Sequence, residues 1–254
     1  MAAFGRGRDG HPRPFVKRGL RYTSLQFDRL DAQSRMLTFD PDRLLIDYTR
    51  TMMGALLFQP RPRRIGMIGL GGGSQAKFIH RHLPSTRLEV VEINPHVLRL
   101  RRRFRVPRDD ARLSVQLGDG AEWIHRQAGR FDILLVDAYD PSGIPEAVST
   151  ARFYAGCRAA LAADGVMATN LYTSDAGRHL RRLGHAFGGR VAVVEESGMS
   201  NRVAFAWVGD PFQGGAVAVA ERLAQLPRPA AAQLTAVFHA VAGVLPTTGS
   251  PGRR

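Results

Sequence analysis

Four short segments of the chain each follow an apolar run, and each offers glycine or a carboxylate. They are Gly69-Leu70-Gly71-Gly72-Gly73, Glu92, Gly118-Asp119-Gly120 and Asp137-Ala138-Tyr139-Asp140-Pro141. Glycines let a backbone approach a ligand closely. The loop spacing is G-x-G-x-G, with Ser74 where the dinucleotide pattern has its third glycine. That turns the reading away from a pyrophosphate and toward a sulfonium nucleoside. Glu92 follows roughly twenty residues on, where an acid can accept both ribose hydroxyl protons. Asp119 can accept a hydrogen bond from an adenine amino group. None of the four segments carries a Lys or Arg for a phosphate, so a nicotinamide dinucleotide is the weaker reading. Each acid also has an ordinary alternative, the capping of a following helix. The four in order are more specific than any one.

The elements around these segments alternate. Ile65 to Gly69, Leu88 to Ile93, Leu113 to Leu117, Phe131 to Val136 and Gly165 to Leu171 read as strands. Gln75 to His82, the stretches from Pro95 and from Ala121, Thr150 to Ala163 and Asp175 to Phe187 read as helices. Val191 to Glu195 and Val203 to Val208 complete the sheet. Such alternation predicts an α/β fold with a parallel, doubly wound sheet. In that architecture ligands bind outside the carboxyl ends of the strands, and all four segments sit there. Ahead of it, Leu20 to Phe27 and Arg35 to Phe39 read as two strands of a small β-element, and Leu44 to Phe58 as a helix. The expected organisation is a basic disordered tail over 1–19 and a β-hairpin and helix over 20–60. A Rossmann-like domain follows over 61–210, and a helical segment with a tail over 211–254.

The bulk numbers narrow the choice of ligand. Lys and Arg total 36 against 22 Asp and Glu, a net charge of +14. This charge is mostly arginine, gathered in the N-terminal stretch and in the run Arg99 to Arg105, expected on a helix. No zinc spacing, aromatic RNA-binding signature or basic zipper accompanies it, so nucleic acid is not the expected partner. No apolar run reaches the length of a membrane span, and a cytoplasmic location is expected. Cys157 is the single cysteine and reads as packing. His80 and His82 lie close together without an evident third ligand, and no metal is expected.

The stretch from about Gly19 to Asp210 resembles the spermidine synthase (polyamine aminopropyltransferase) family. Val91-Glu92-Ile93-Asn94 resembles its V-E-I-D segment, and Gly118 to Trp123 its G-D-G/A-x-x-F/W segment. Asp137-Ala138-Tyr139-Asp140-Pro141-Ser142-Gly143-Ile144-Pro145-Glu146 resembles its D-S-S-D-P-x-G-P-A-E gate loop, followed by Phe153-Tyr154. Gln33 to Met36 and Asp47-Tyr48 fall where the family has a glutamine-containing hairpin and a tyrosine segment. The resemblance implies a methyltransferase-like Rossmann domain behind a small N-terminal β-element through which members dimerise. It implies aminopropyl transfer from decarboxylated S-adenosylmethionine to a small-molecule amine, in polyamine biosynthesis. Asp137 would be the catalytic base, Asp140 and Tyr48 would position the acceptor, and Pro141 would wall the adenine. Gly69, Gly71, Gly72, Gly73, Glu92, Asp119 and Gly120 would hold the nucleoside.

The match breaks in the glycine loop. The family reads G-G-G-D-G-G there, and Gly72 stands in place of the aspartate. The resemblance assigns that aspartate to the amine of the aminopropyl arm and to repulsion of the carboxylate of intact S-adenosylmethionine. Two like charges about 5 Å apart at an effective dielectric of ~20 cost on the order of 3 kcal/mol, or roughly a hundredfold in affinity. Thr49 replaces the family's Gln or His, and the later polyamine-cradling segments are not recognisable near 197–201. Two alternatives follow. One is methyl or aminocarboxypropyl transfer from intact S-adenosylmethionine, and the other is non-catalytic nucleoside binding.

Overall fold

The computed structural model describes residues 9–27, 32–139, 143–172, 176–196, 201–210, 212 and 216–246. Its first sheet is antiparallel, in the order β1 (Phe15–Arg18), β2 (Tyr22–Gln26), β3 (Ala32–Leu37). Strand β1 falls in the stretch expected to be a tail. Its inward contribution is Val16, which packs on the cluster of Leu25, Met36, Phe104 and Val106. One apolar contact among arginines and prolines leaves no period to read. The strand is held by its backbone ladder to β2 instead.

The helix expected over Leu44 to Phe58 is two helices, α1 (Asp47–Met52) and α2 (Ala55–Phe58). Gly54 stands between them. A Cβ there would lie 2.8 Å from Val241 Cγ2 and 3.0 Å from Val237 Cγ1. The C-terminal helix therefore needs glycine at this point in order to close on the core.

The main sheet has seven strands: β4 (Arg64–Ile68), β5 (Arg87–Glu92), β6 (Leu113–Leu117), β7 (Phe131–Val136), β8 (Leu161–Tyr172), β9 (Val191–Glu195) and β10 (Asn201–Trp207). Their order is β6-β5-β4-β7-β8-β10-β9. Strands β4 to β8 are parallel, but β10 runs antiparallel to both β8 and β9. The expected parallel sheet holds over β4 to β8, and the edge built on β10 departs from it. The connection over 196–200 is too short for the crossover that parallel neighbours require.

Helices cover both faces. On one, α1, α2, α3 (Ser74–His82), α8 (Ala216–Ala224) and α9 (Arg228–Val244) enclose a core with Phe58, Phe78, Phe205 and Phe238. On the other, α5 (Gly120–Ile124), α6 (Ala151–Ala160) and α7 (Ala176–Ala186) bury Trp123, Phe153, Tyr154 and Phe187. Helix α4 (Pro95–Leu100) is shorter than the arginine run suggested. Its chain turns after Leu100, with Arg105 at φ 55°, and buries Phe104 and Val106 under the N-terminal sheet. Among the described residues no helix is long and apolar enough to cross a membrane.

Candidate active site

The sheet order reverses between β4 and β7, so the chain leaves these two neighbours in opposite directions. The crevice at such a switch point is where open α/β sheets bind ligands. Gly69 follows β4 at φ 91°, and a Cβ on it would overlap the Asp137 carbonyl oxygen beyond β7. A glycine here therefore brings the two strand ends together. Gly71, at φ 52°, is exposed and has no atom within reach of an added Cβ. Its missing side chain leaves open space at the crevice.

Gly72 and Gly73 differ from that expectation. Both are buried. A Cβ on Gly73 would overlap Val106. One on Gly72 would overlap Ser34 Oγ, and would lie 2.8 Å from Ser34 Cβ and 3.1 Å from Phe104 Cδ1. These two glycines accommodate protein. The N-terminal hairpin is seated on the loop through Ser34, while Gln33 on the same strand is exposed.

Glu92 ends β5 and is 8 % exposed. Its carboxylate accepts hydrogen bonds from the backbone N–H of Leu70 and of Asn94, both at 2.8 Å. Burial raises its pKa, against the opposing effect of those N–H donors. The residue thus ties the glycine loop to β5. The backbone N–H groups of Gly71 and Ile93 oppose the effect of burial as well, so four N–H groups face this carboxylate. Replacing Glu92 by Gln puts an amide N–H where one backbone N–H now donates. The loss of a hydrogen bond to a charged acceptor and the unsatisfied donor should each cost about 1–3 kcal/mol. A melting temperature lower by at least ~2–4 °C is expected. Affinity for methylthioadenosine should fall at least ~10-fold by calorimetry. Unchanged affinity would remove Glu92 from the nucleoside site.

Asp119 is the N-cap of α5, its Oδ1 accepting from Ala121 N–H at 2.7 Å. The capping alternative therefore holds, and Oδ2 is the oxygen left for a ligand. Gly120 allows α5 to approach β4, since a Cβ would overlap Ile68. Ile93 (51 % exposed) and Leu117 (58 %) flank these acids at the ends of β5 and β6. Large apolar side chains left open beside two carboxylates suit the face of a base. Their sequence signal is present but weak, because strand residues of this type are ordinarily buried.

Asp137 stands just past β7 and is half-buried. Tyr48, on α1, donates its hydroxyl to Asp137 Oδ2 at 3.1 Å, and Asn170 Nδ2 donates to Oδ1 at 3.1 Å. Burial raises the Asp137 pKa, and the two donors lower it in part. The Tyr48 hydroxyl is pushed well above its ordinary range by burial and by the Asp137 charge. Among the described residues no Lys or Arg pairs with this carboxylate. A half-buried carboxylate held only by neutral donors presents an uncompensated negative charge. Asp140 and Pro141 lie outside the described residues. Thr49 is buried and donates its hydroxyl to Ile46 O at 2.6 Å, at the start of its own helix.

The remaining candidates separate from this crevice. His80 contacts Asp110 at 2.8 Å. Among the described residues no group of three or more metal-ligating side chains exists. Cys157 is fully buried, and burial raises its thiol well above the ordinary range, which makes it a poor nucleophile.

The strand order, the glycine loop after β4 and the acids at the next strand ends define a methyltransferase-like Rossmann protein. A family model described as "Spermine/spermidine synthase domain" matches residues 45–174. The polyamine aminopropyltransferase of Neisseria meningitidis is 35 % identical over 208 residues, covering 80 % of this chain and 79 % of its own. That of Chromobacterium violaceum is 37 % identical over 171 residues, covering 66 % of each. The crystal structure of a probable spermidine synthase from Corynebacterium glutamicum superposes with a TM-score of 0.69 at 18 % identity. It covers 84 % of this chain and 82 % of that one. The chain belongs to the spermine/spermidine synthase family.

Proposed function

We propose that this protein transfers an aminopropyl group from decarboxylated S-adenosylmethionine to a small amine, with Asp137 as the general base. The observation that carries the reading is the Asp137 carboxylate, partly desolvated and held by two neutral donors at the switch point. Its chain's kinship with proteins named polyamine aminopropyltransferase supports the same reaction class.

The residues fit the donor. Glu92 would accept its ribose hydroxyls, Asp119 its base amino group, and Ile93 and Leu117 would line the base. When bound, the donor supplies a carbon made electrophilic by the adjoining sulfonium, and that C–S bond breaks with its electron pair left on sulfur. What the chain must supply is an amine lone pair. Alkyl amines are mostly protonated at neutral pH. The Asp137 charge draws in the ammonium form, and Asp137 then takes a proton from the attacking nitrogen. A raised pKa suits that task, because a carboxylate held low would be too weak a base. Tyr48 keeps one carboxylate oxygen in place while the other faces its amide donor. Asp140 is proposed as a second anchor for the acceptor, and Pro141 as part of the base wall.

Incubation with decarboxylated S-adenosylmethionine and a panel of diamines and polyamines tests the reading. Methylthioadenosine and a lengthened amine are expected together. Methylthioadenosine without an amine product, or S-adenosylhomocysteine from the intact donor with no aminopropyl product, would refute it.

A further inference from the structure

We propose that Asn201 and Asn170 form a positioning relay for the Asp137 carboxylate: Asn201 holds the oxygen end of the Asn170 amide, and Asn170 so held donates to Asp137. The proposal rests on Asp137 being the base named above. Neither asparagine is signalled by the sequence, because their positions belong to separate elements.

The sheet register brings them together. Val136 on β7 is opposite Thr169 on β8, so the residue after each strand position, Asp137 and Asn170, lie side by side. Strand β10 pairs Val203 with Asn170 and Asn201 with Tyr172. Residues 201 and 170 are therefore diagonal neighbours on one face, within reach of each other's side chains. Both are buried, Asn170 at 4 % and Asn201 at 5 % exposure. Asn201 Nδ2 donates to Asn170 Oδ1 at 2.9 Å, and Asn170 Nδ2 donates to Asp137 Oδ1 at 3.1 Å. The Tyr139 hydroxyl donates to the Asn170 carbonyl oxygen at 2.6 Å and fixes the backbone beneath.

An amide has one accepting and one donating end. Turned the other way, Asn170 would set its oxygen against the Asp137 carboxylate and its NH2 against the NH2 of Asn201. The hydrogen bond to Asp137 would be lost, and the one to Asn201 would survive only if Asn201 turned as well, in a buried place where unmade bonds are costly. Asp137, which only accepts, selects the NH2 end of Asn170, and Asn201 holds the oxygen end in place without touching Asp137. Among the described residues the titratable group that contacts Asp137 is Tyr48 from α1, with Tyr139 close to Tyr48 in turn, while β8 and β10 contribute the two amides. An amide donor steadies the carboxylate without neutralising it, which a lysine or arginine there would do.

The test uses the full chain with Asn170→Ala, Asn201→Ala and Asn201→Asp. The readouts are the pH profile of kcat, KM for both substrates, thermal melting, and carbon-13 NMR titration of the Asp137 carboxyl. Loss of the donor disfavours the charged carboxylate, so the Asp137 titration and the acid limb of the profile should both move to higher pH. Asn170→Ala should lower kcat about 10-fold or more, with KM for the nucleoside donor little changed. Asn201→Ala should move the titration the same way by a smaller amount. Asn201→Asp should be worse than Asn201→Ala despite its closer size, because an acceptor at 201 turns the Asn170 amide round. If Asn201→Asp does not fold, the two alanine variants decide the matter. A lowered melting temperature with an unmoved Asp137 titration in both alanine variants would overturn the relay. The NMR titration needs no turnover. An inactive wild type therefore refutes the proposed function, while an unmoved titration refutes the relay.

Discussion

Replacing Asp137 by Asn is expected to slow aminopropyl transfer by roughly 10²- to 10⁴-fold, the range of a general base, while making the protein more heat-stable near neutral pH. The second half follows from the raised pKa of the folded carboxyl, which burial causes. A folded state that binds its proton more tightly than the unfolded chain is favoured in acid. Below the ordinary aspartate value of about 3.9 the group is protonated in both states. That relative stability is then at its fullest. It is lost as pH rises through the raised folded value, where the fold must carry a buried charge. The Asn variant carries no charge at any pH. The new amide can donate to Tyr48, whose hydroxyl can accept as well as donate, and can accept from Asn170 Nδ2. Wild type and variant should therefore melt alike in strong acid and diverge toward neutrality, with the variant higher. Melting curves across pH and single-turnover rates check both halves. Near-wild-type transfer by the variant would remove Asp137 from the chemistry. A lower melting temperature at neutral pH would mean that the carboxylate is stabilising as a charge, and that the base is poised differently.

The second large effect concerns donor selectivity. With Gly72 in place of an acid, the wild-type site should bind intact and decarboxylated S-adenosylmethionine with similar affinity, so that the intact form competes for the site. Gly72→Asp alone is a poor test. Its Cβ would overlap Ser34 Oγ and sit 2.8 Å from Ser34 Cβ, and overpacking of this kind costs about 1–3 kcal/mol. Ser34→Gly removes those atoms and leaves the 3.1 Å approach to Phe104 Cδ1. The double variant Ser34→Gly with Gly72→Asp should fold better than Gly72→Asp. It should favour the decarboxylated donor by roughly a hundredfold. Calorimetric titration of both donors against the three proteins measures this. A wild type that already prefers the decarboxylated form strongly would show that other residues perform the discrimination.

The fold class and the nucleoside side of the crevice were legible because they are local. A strand is a run of apolar residues, and the residue that ends it can be named before the sheet is assembled. Glu92, Asp119 and Asp137 each occupy such an end. The bounds read for Leu113 to Leu117, Phe131 to Val136 and Val191 to Glu195 are those of β6, β7 and β9. The glycine loop was also visible, but not what each glycine does. Gly71 faces open space, while Gly69 meets Asp137 and Gly72 meets Ser34. Those contacts exist only when distant segments converge.

The same reason explains what was missed. Strand β1 had no hydrophobic period of its own and is defined by its pairing with β2. The direction of β10 depended on a short connection between strands that each read alike in either orientation. Asn170 and Asn201 are unremarkable as residues in strands, and Asn170 meets Asp137, and Asn201 meets Asn170, only through the register of β8 against β7 and β10. The sequence by itself determined which side chains end the strands and hence the kind of ligand the crevice suits. Tertiary structure alone decided how the Asp137 carboxylate is held, because hydrogen bonds between elements have no local pattern in the chain.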